Sequence, residues 1–443
     1  MQIEKNADKQ VKTLRVHIQD QPGYLGRLCS AIGQAGGNIG EIETISLGLV
    51  RNTRDLTVYV DDDAQLQRVL EAIRPLQGIE LVEVVDEVLK RHEGGKIAVT
   101  SRYPLNTIAD MRKVYTPGVA GVCRLIQSNP ALAHRYTSIG NTVAIVTNGT
   151  AILGLGPIGP VAGMPVMEGK AVLLERLVGI NGVPILLTTR DVAEFVDTVI
   201  QIAPTFAAIN LEDVAAPDCF EIEARVQAAL DIPVMHDDQH GTGVVVLASI
   251  LRACALSGLT LSGQTVGVIG LGAAGIGISK LLHSYGIKHL IGTDLKDEAM
   301  RMLEQVGGVR ETLPGVMAQA TIVVATTGAP GLIRPQLVRK GQVILALSNP
   351  NAEIRPEDAL AAGAAFAVDG KVVNNALSFP GMFRGALDAR ARRITEAMKI
   401  AAAEAITARA PEGELVPEIL DRSVHAAVAQ AVATAASGGS SRT

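Results

Sequence analysis

The chain of 443 residues is 48% hydrophobic, 19% charged and 3% aromatic, with no Trp and 45 Gly. This is the composition of several folded domains and excludes collagen, coiled coil and general disorder. Lys and Arg number 40 against 45 Asp and Glu, a net charge of -5, which leaves no broad basic surface for a phosphate backbone and excludes nucleic acid as an expected partner.

Residues 11–18 alternate as a strand, DQPGYLG at 20–26 turns into a helix through Ala35, and GGN at 36–38 ends it before a strand to about Leu49. A strand at 54–60, a helix from Ala64 to Ile73 with Leu66, Val69, Leu70 and Ile73 on one face, and a strand Glu80–Val85 complete a βαββαβ module. The run EVLKRHEGGK at 87–96 reads as a connection, with a boundary near Lys90 and a first half open to helix. From 97 to about 235 the apolar strands 143–147, 184–188 and 206–210 alternate with helical patterns, an α/β arrangement with a largely parallel sheet. Then QTVGVI at 264–269 runs into GLGAAG, followed by a helix Ile276–Tyr285 and strands at 289–294, 321–326, 343–348 and 366–369, the pattern of a Rossmann-type nucleotide-binding domain. Residues 385–409 read as one Ala-rich helix and SGGSSRT at 437–443 as a frayed tail without function. The expected domains are therefore 1–90, 91–240 and 241–436, with the tail at 437–443.

Cys29, Cys123, Cys219 and Cys254 stand far apart without a C-x-x-C pair and read as free thiols of a reducing cytoplasm. The first residues carry no apolar core of signal-peptide length, and apolar runs are interrupted before about 18 residues, so neither secretion nor a membrane partner is expected.

Chemistry concentrates in four segments. INLEDVAAPDCFEIE at 209–223 and IPVMHDDQHGTG at 232–243 place Glu212, Asp213, Asp237 and Asp238 just beyond two predicted strands, where acidic pairs converge. Three such carboxylates suit a hard divalent ion, Mg²⁺ or Mn²⁺; helix capping is the competing reading. His236 and His240 are expected to support the cluster rather than bind the ion. GLGAAG supplies Gly270, Gly272 and Gly275, with Ala273 and Ala274 between them and Asp294 closing the next strand, as a dinucleotide site requires. Asp294 can accept from a ribose 2′-OH and repels a 2′-phosphate, while Lys296 works the other way, so NAD is modestly preferred over NADP. Tyr115 in VYTPGVA and Lys170 in PVMEGKA are candidate acid and base, the Lys with a pKa lowered by a dry site.

YTPGVA, VTNGTAILGLG, PVMEGKA, INLEDVAAPDCFEIE, HDDQHGT, GLGAAG, LSNP and NNALSFPG follow in the order seen in malic enzymes, and over residues 97–400 the chain resembles the bacterial members of that family. The resemblance implies oxidative decarboxylation of (S)-malate to pyruvate and CO₂ with reduction of NAD(P). It makes Glu212, Asp213 and Asp238 the metal ligands, Lys170 the base with Asp237 beside it, and Tyr115 the acid that protonates the enolate. Asn349 and Asn375 correspond to residues near the nicotinamide and the substrate carboxylate, with Asn374 a neighbour of the substrate. Two departures stand out: Asn148 where the family commonly has Asp, and Ala207 and Ala208 where glycines are usual, their methyl groups expected close to the ion. The N-terminal module resembles an ACT domain, which implies an amino-acid or metabolite effector at Asp20, Gly23, Leu25, Asn38 and Ile39, and a homo-oligomer, a dimer or higher. A hydroxy-acid dehydrogenase that stops at the keto acid, and a non-catalytic sensor, are the alternatives; the two acidic pairs and the retained Tyr and Lys argue against them.

Overall fold

The computed structural model describes residues 9–152 and 154–438. They fall into two compact units that divide between Ala98 and Val99.

In the first unit β1 (Gln10–Gln19), β2 (Asn38–Leu47), β3 (Arg51–Val60) and β4 (Ile79–Asp86) form an antiparallel sheet in the order β2-β3-β1-β4. Alternation along β1 buries Leu14, Val16 and Ile18, which pack with Leu28 and Ile32 of the helix Tyr24–Gln34 and with Val69 and Ile73 of the helix Asp63–Ile73. Asp62 starts the second helix by accepting from the backbone N–H of Gln65. β3 begins earlier than the apolar pattern suggests because Arg51, Asn52 and Thr53 pair with Gln19, Ile18 and His17 of β1. The first half of the connecting run is helical over Glu87–His92, capped by Asp86.

The second unit holds two parallel sheets. β5 (Thr142–Thr147), β6 (Asn181–Leu186), β7 (Ala208–Leu211) and β8 (Val234–His236) lie in the order β6-β5-β7-β8. β9 (Thr265–Ile269), β10 (His289–Thr293), β11 (Val309–Arg310), β12 (Ile322–Ala325), β13 (Val343–Ala346) and β14 (Phe366–Asp369) lie in the order β11-β10-β9-β12-β13-β14. This is the doubly wound nucleotide-binding arrangement, its order reversing between β9 and β12. The two-residue β11 is too short to leave a periodic trace in the sequence.

The helix Asp237–Ser257 leads from the first of these sheets to the second. It is long and apolar enough to cross a membrane, but 61% of its apolar window is buried inside the fold, as in a core helix. It packs on the helix Ala273–Tyr285, where a side chain at Gly277 would stand 2.4 Å from the Gln239 carbonyl. The single helix expected at 385–409 is instead two, Phe379–Asp388 and Glu396–Arg409. Arg390 takes a left-handed backbone (φ 51) between them, and Thr395 caps the second. A further helix, Arg422–Gly438, takes in the first two residues of the expected tail; residues 439–443 lie outside the described residues.

Candidate active site

β7 and β8 are parallel neighbours with Leu211 opposite His236, so the residues that follow them emerge side by side. Glu212, Asp213 and Asp238 offer carboxylate oxygens that all lie within 4.8 Å of one another. Asp213 holds a left-handed backbone (φ 53), and its N–H donates to Asp238 Oδ2 at 2.9 Å. Asn210 Nδ2 donates to Glu212 Oε2 at 2.8 Å. Lys170 enters from the helix Pro160–Val178, on the face that also buries Gly163, Met167 and Leu174. Its Nζ lies 3.1 Å from Glu212 Oε1, donates to Asp237 Oδ2 and to Asn375 Oδ1 (3.3 Å), and sits 4.4 Å from the centre of the Phe379 ring. The other oxygen of Asp237 is buried and has no hydrogen-bond partner among the described residues. Gly241 makes room for it: a Cβ there would stand 1.8 Å from Asp237 Oδ1. Neither Gly241 nor Phe379 announced itself in the sequence as part of the site.

Behind the cluster, Glu223 accepts from the N–H of His236 (2.8 Å), Gln239 Nε2 (3.2 Å) and His240 Nε2 (3.0 Å). Lys399 Nζ lies 2.9 Å from His240 Nδ1. An ammonium only donates, so Nδ1 is the acceptor and Nε2 carries the proton given to Glu223. His240 thus joins Glu223 and Lys399 beside the turn that carries Asp237 and Asp238, whereas His236 meets Glu223 only through its backbone N–H, its buried ring nitrogens having no hydrogen-bond partner among the described residues. Burial works to raise the Glu223 carboxyl, but the hydrogen bonds from His240 and from the His236 N–H pull it down.

Burial and the neighbouring negative charge push Asp237 up to about 7 against the pull of Lys170, and burial raises Glu212 and Asp238 as well. Lys170 departs from expectation. Burial alone lowers its pKa, but the attraction of Asp237, Glu212 and Asp238 outweighs burial and raises it, so without a divalent ion Lys170 is an ammonium. Oxygen donors, crowded carboxylates and an unpartnered Asp237 oxygen fit a hard divalent cation. A carboxyl with a raised folded pKa contributes stability that is full below its ordinary range and is lost as pH rises through about 7. A bound ion offsets that loss. The rise in Tm caused by saturating Mn²⁺ is accordingly expected to be several degrees larger at pH 8 than at pH 5.5, measured by thermal unfolding against EDTA-treated protein. Equal shifts at the two pH values would contradict the assignment.

At the second sheet, β9 runs into Gly270 (φ 87), whose Cβ would stand 2.7 Å from the Thr326 carbonyl. A Cβ on Gly275 would meet the Gly270 carbonyl at 1.9 Å, whereas one on Gly272 meets nothing within 4 Å. The first and third glycines thus satisfy packing, and the second leaves space in a cavity of about 450 Å³ lined by Gly270, Leu271, Gly272, Asp294, Met302 and Thr326. Ala273 and Ala274 open the helix beyond it. Asp294 Oδ2 accepts from the N–H of Leu271 at 2.7 Å, fixing the acid at the end of β10. Asn349 follows β13, and Asn374 is occupied in capping its own turn through the N–H of Ala376.

The structure therefore brings together Lys170, Glu212, Asp213, Asp237, Asp238 and Asn375. Tyr115 is not among them: it is 68% exposed, on a stretch whose helices Ile108–Val114, Val119–Ser128 and Ala133–Tyr136 have no buried residue.

Comparison with known proteins agrees with this geometry. The malic enzyme N-terminal domain matches residues 94–227, the malic enzyme NAD binding domain matches residues 239–314 and 297–437, and the ACT domain matches residues 12–78. NAD-dependent malic enzyme 1 of Bacillus subtilis (strain 168) is 54% identical over 97% of this chain and 98% of its own length. The chain belongs to the malic enzyme family. NAD-dependent malic enzyme of Geobacillus stearothermophilus is 41% identical, over 96% of this chain and 94% of its own. The crystal structure of malic enzyme from Pyrococcus horikoshii superimposes with a TM-score of 0.75 at 38% identity, covering 81% of this chain and 92% of that one. As a malic enzyme it is an NAD(P)-dependent oxidoreductase that converts malate to pyruvate with loss of CO₂ at a divalent-metal site.

The departures from the family pattern can now be placed. Asn148 Oδ1 accepts from Thr150 Oγ1 at 2.7 Å, and Thr150 in turn accepts from the N–H of Ala215, just beyond Asp213. An Asp could do the same, but the Asn148 amide also donates to the Thr189 carbonyl at 3.4 Å, which a carboxylate cannot. Ala207 and Ala208 are not close to the ion site. Both are buried, Ala208 opening β7 and Ala207 just before it, four and five residues from Glu212 and so about 13 and 17 Å away along the chain at roughly 3.3 Å per residue. In the ACT domain Asp20 Oδ1 accepts from the buried Asn52 at 2.9 Å, Gly23 has φ 89 ahead of the first helix, which begins at Tyr24 and includes Leu25, and Asn38 and Ile39 open β2.

Proposed function

We propose that in this malic enzyme Lys170, Asp237 and Tyr115 carry the proton transfers and Glu212, Asp213 and Asp238 hold Mg²⁺ or Mn²⁺. The observation that carries the reading is the buried contact of Lys170 with Asp237 and Glu212, beside the three-carboxylate group. When bound, the nicotinamide supplies the hydride acceptor for C2, and the divalent ion supplies the positive charge that offsets the oxygen anion formed as CO₂ departs. Lys170, in its free-amine form and with Asp237 beside it, accepts the proton of the C2 hydroxyl of malate. Asn375, a hydrogen-bond partner of Lys170, orients the substrate carboxylate, with Asn374 holding its turn. Tyr115 donates its phenolic proton to C3 of enolpyruvate, giving pyruvate.

NAD is preferred over NADP through Asp294, and Ala273, Ala274 and Asn349 complete the cofactor contacts. The exposed, partly apolar stretch 99–136, with Tyr115 on it, supports a homo-oligomer in which a second copy covers this stretch. We take the functional domains to divide near residues 90 and 240, and an amino-acid or metabolite effector to bind the ACT domain. Four free thiols support a cytoplasmic location. One assay tests the reading: reduced-cofactor formation from malate with NAD or NADP, with and without Mn²⁺, coupled to pyruvate detection, and repeated across a panel of amino acids and central metabolites. Pyruvate in step with NADH only when Mn²⁺ is present is expected, with an altered rate for one effector. Oxaloacetate without pyruvate would sink the decarboxylation, and equal use of NADP would remove the role of Asp294.

A further inference from the structure

A buried carboxylate that the proton transfers do not use lies where the second half of the cofactor sheet meets the cavity. Glu353 is 0% exposed. Its Oε1 accepts from Thr327 N (2.7 Å), Thr327 Oγ1 (2.9 Å) and Ser348 Oγ (2.5 Å), and its Oε2 accepts from Ser348 N (3.2 Å). No Lys or Arg pairs with it among the described residues. Its backbone is fastened too: the Glu353 carbonyl accepts from Ile333 N at 2.9 Å and the Ala352 carbonyl from Gly331 N at 3.1 Å. Among the described residues, the Glu353 carboxyl oxygens are satisfied by two loops.

Those loops are the ones that follow β12 and β13, adjacent strands with Ala325 opposite Ala346. The glycine loop and Asp294 belong to the other half of the sheet, on β9 and β10. A dinucleotide laid across the reversal in strand order sets its adenosine half over β9 and β10 and its nicotinamide half over β12 and β13. Thr327 lines the cavity together with Thr326 and Ala329. Ser348 Oγ also accepts from Gly328 N at 2.7 Å, tying the two loops a second time. The next residue, Asn349, is held closely: its carbonyl lies 2.3 Å from where a Cβ on Gly154 would stand, and its Nδ2 lies 2.7 Å from where one on Gly370 would stand.

We propose that Glu353 is a positioning residue for the nicotinamide half of the cofactor, clamping the loops after β12 and β13 in one register so that Thr327 and Asn349 meet the ring in a fixed place. The proposal rests on the assignment of the cavity to NAD(P). A Gln at 353 is nearly the same size and keeps an oxygen for the Thr327 donors, but its amide then faces the N–H of Ser348, donor against donor, and the clamp opens at β13.

The test is a fluorescence titration of NADH, with ADP-ribose as a competitor lacking the nicotinamide, on full-length wild type and Glu353→Gln. NADH binding is expected to weaken about tenfold, the effect of one lost charged hydrogen bond, with ADP-ribose affinity kept within about twofold and KM for NAD raised more than KM for malate. A merely structural role would weaken NADH and ADP-ribose by the same factor, and that result, like unchanged NADH binding, overturns the proposal. Should Glu353→Gln not fold, Ser348→Ala removes one donor and the second tie. A selective loss of NADH affinity of about threefold supports the clamp, and none overturns it. Wild type that bound ADP-ribose and NADH equally would instead overturn the assignment of the nicotinamide half to this side of the sheet.

Discussion

Replacing Lys170 by Arg is expected to lower kcat for malate by about 10³ while leaving Mn²⁺ and NADH binding within a few fold of wild type, the size of effect associated with loss of a general base. Lys170 has two functions that the usual Ala substitution removes together. Its ammonium offsets Glu212, Asp237 and Asp238, all buried or partly buried carboxylates, so Lys170→Ala leaves their repulsion uncompensated and costs stability as well as chemistry. Arg keeps the charge and can still donate to Asp237, but it does not give up its proton in a protein and cannot accept one from a hydroxyl. A folded, metal-binding and inactive Arg variant assigns the loss to proton transfer. Substantial activity in Lys170→Arg, measured as coupled NADH and pyruvate formation, would remove Lys170 as the base and leave Asp237, with its pKa pushed up to about 7, as the remaining group able to take the proton.

The same cluster shows how far the sequence could be read. Glu212, Asp213, Asp237 and Asp238 were legible because each pair follows a short apolar run that can only be a buried strand, and parallel strands end on one edge. Lys170 reads in the sequence as a residue of a helix start, whereas it lies midway along the helix Pro160–Val178, and it was not legible as a partner of Asp237, since 67 residues separate them and no local rule links them. Its protonation was misjudged for the same reason: burial was readable from the apolar surroundings, whereas three carboxylates converging on the amine depend on the register of β7 and β8. Gly241 and Glu223 act through space, one by lacking a Cβ and the other by orienting a turn thirteen residues away, and in the sequence they look like a helix glycine and a helix acid. The expected helix at 385–409 failed because Ala-rich periodicity continues through Arg390, where only the backbone angle reveals the break. In the ACT domain β1 and the second half of β3, by contrast, follow from alternation alone, since one face of those strands packs on the two helices.

A second large effect is expected from mixing. Tyr115→Phe and Lys170→Arg subunits, each inactive as homo-oligomers, should recover about a quarter of wild-type activity when co-expressed with different tags, if assembly is random and Tyr115 serves the site of a neighbouring copy. The argument begins with what Tyr115 lacks. Among the described residues the site around Lys170 contains an amine, carboxylates and an amide but no phenol, while Tyr115 is 68% exposed in a segment with no buried helix residue. That segment also exposes Val99, Tyr103, Leu105, Ile108, Val114 and Leu125. Two short helices that bury nothing cannot repay the conformational entropy of their own ordering. An apolar stretch of this extent on a folded chain marks an interface with another protein surface. With a second copy as the proposed partner both observations are accounted for, since it would cover the stretch and would carry the phenol to a site that needs one. In a mixed dimer built that way, one site combines Lys170 from the Tyr115→Phe subunit with Tyr115 from the Lys170→Arg subunit and is whole, while the other carries both lesions. Half of randomly assorted dimers are mixed and half of their sites are whole, which gives the expected quarter. If Tyr115 acts on the Lys170 of its own chain, every site in every dimer carries one lesion and mixing restores nothing. Activity of the tag-purified mixed species, compared with that of each parent, decides between the two.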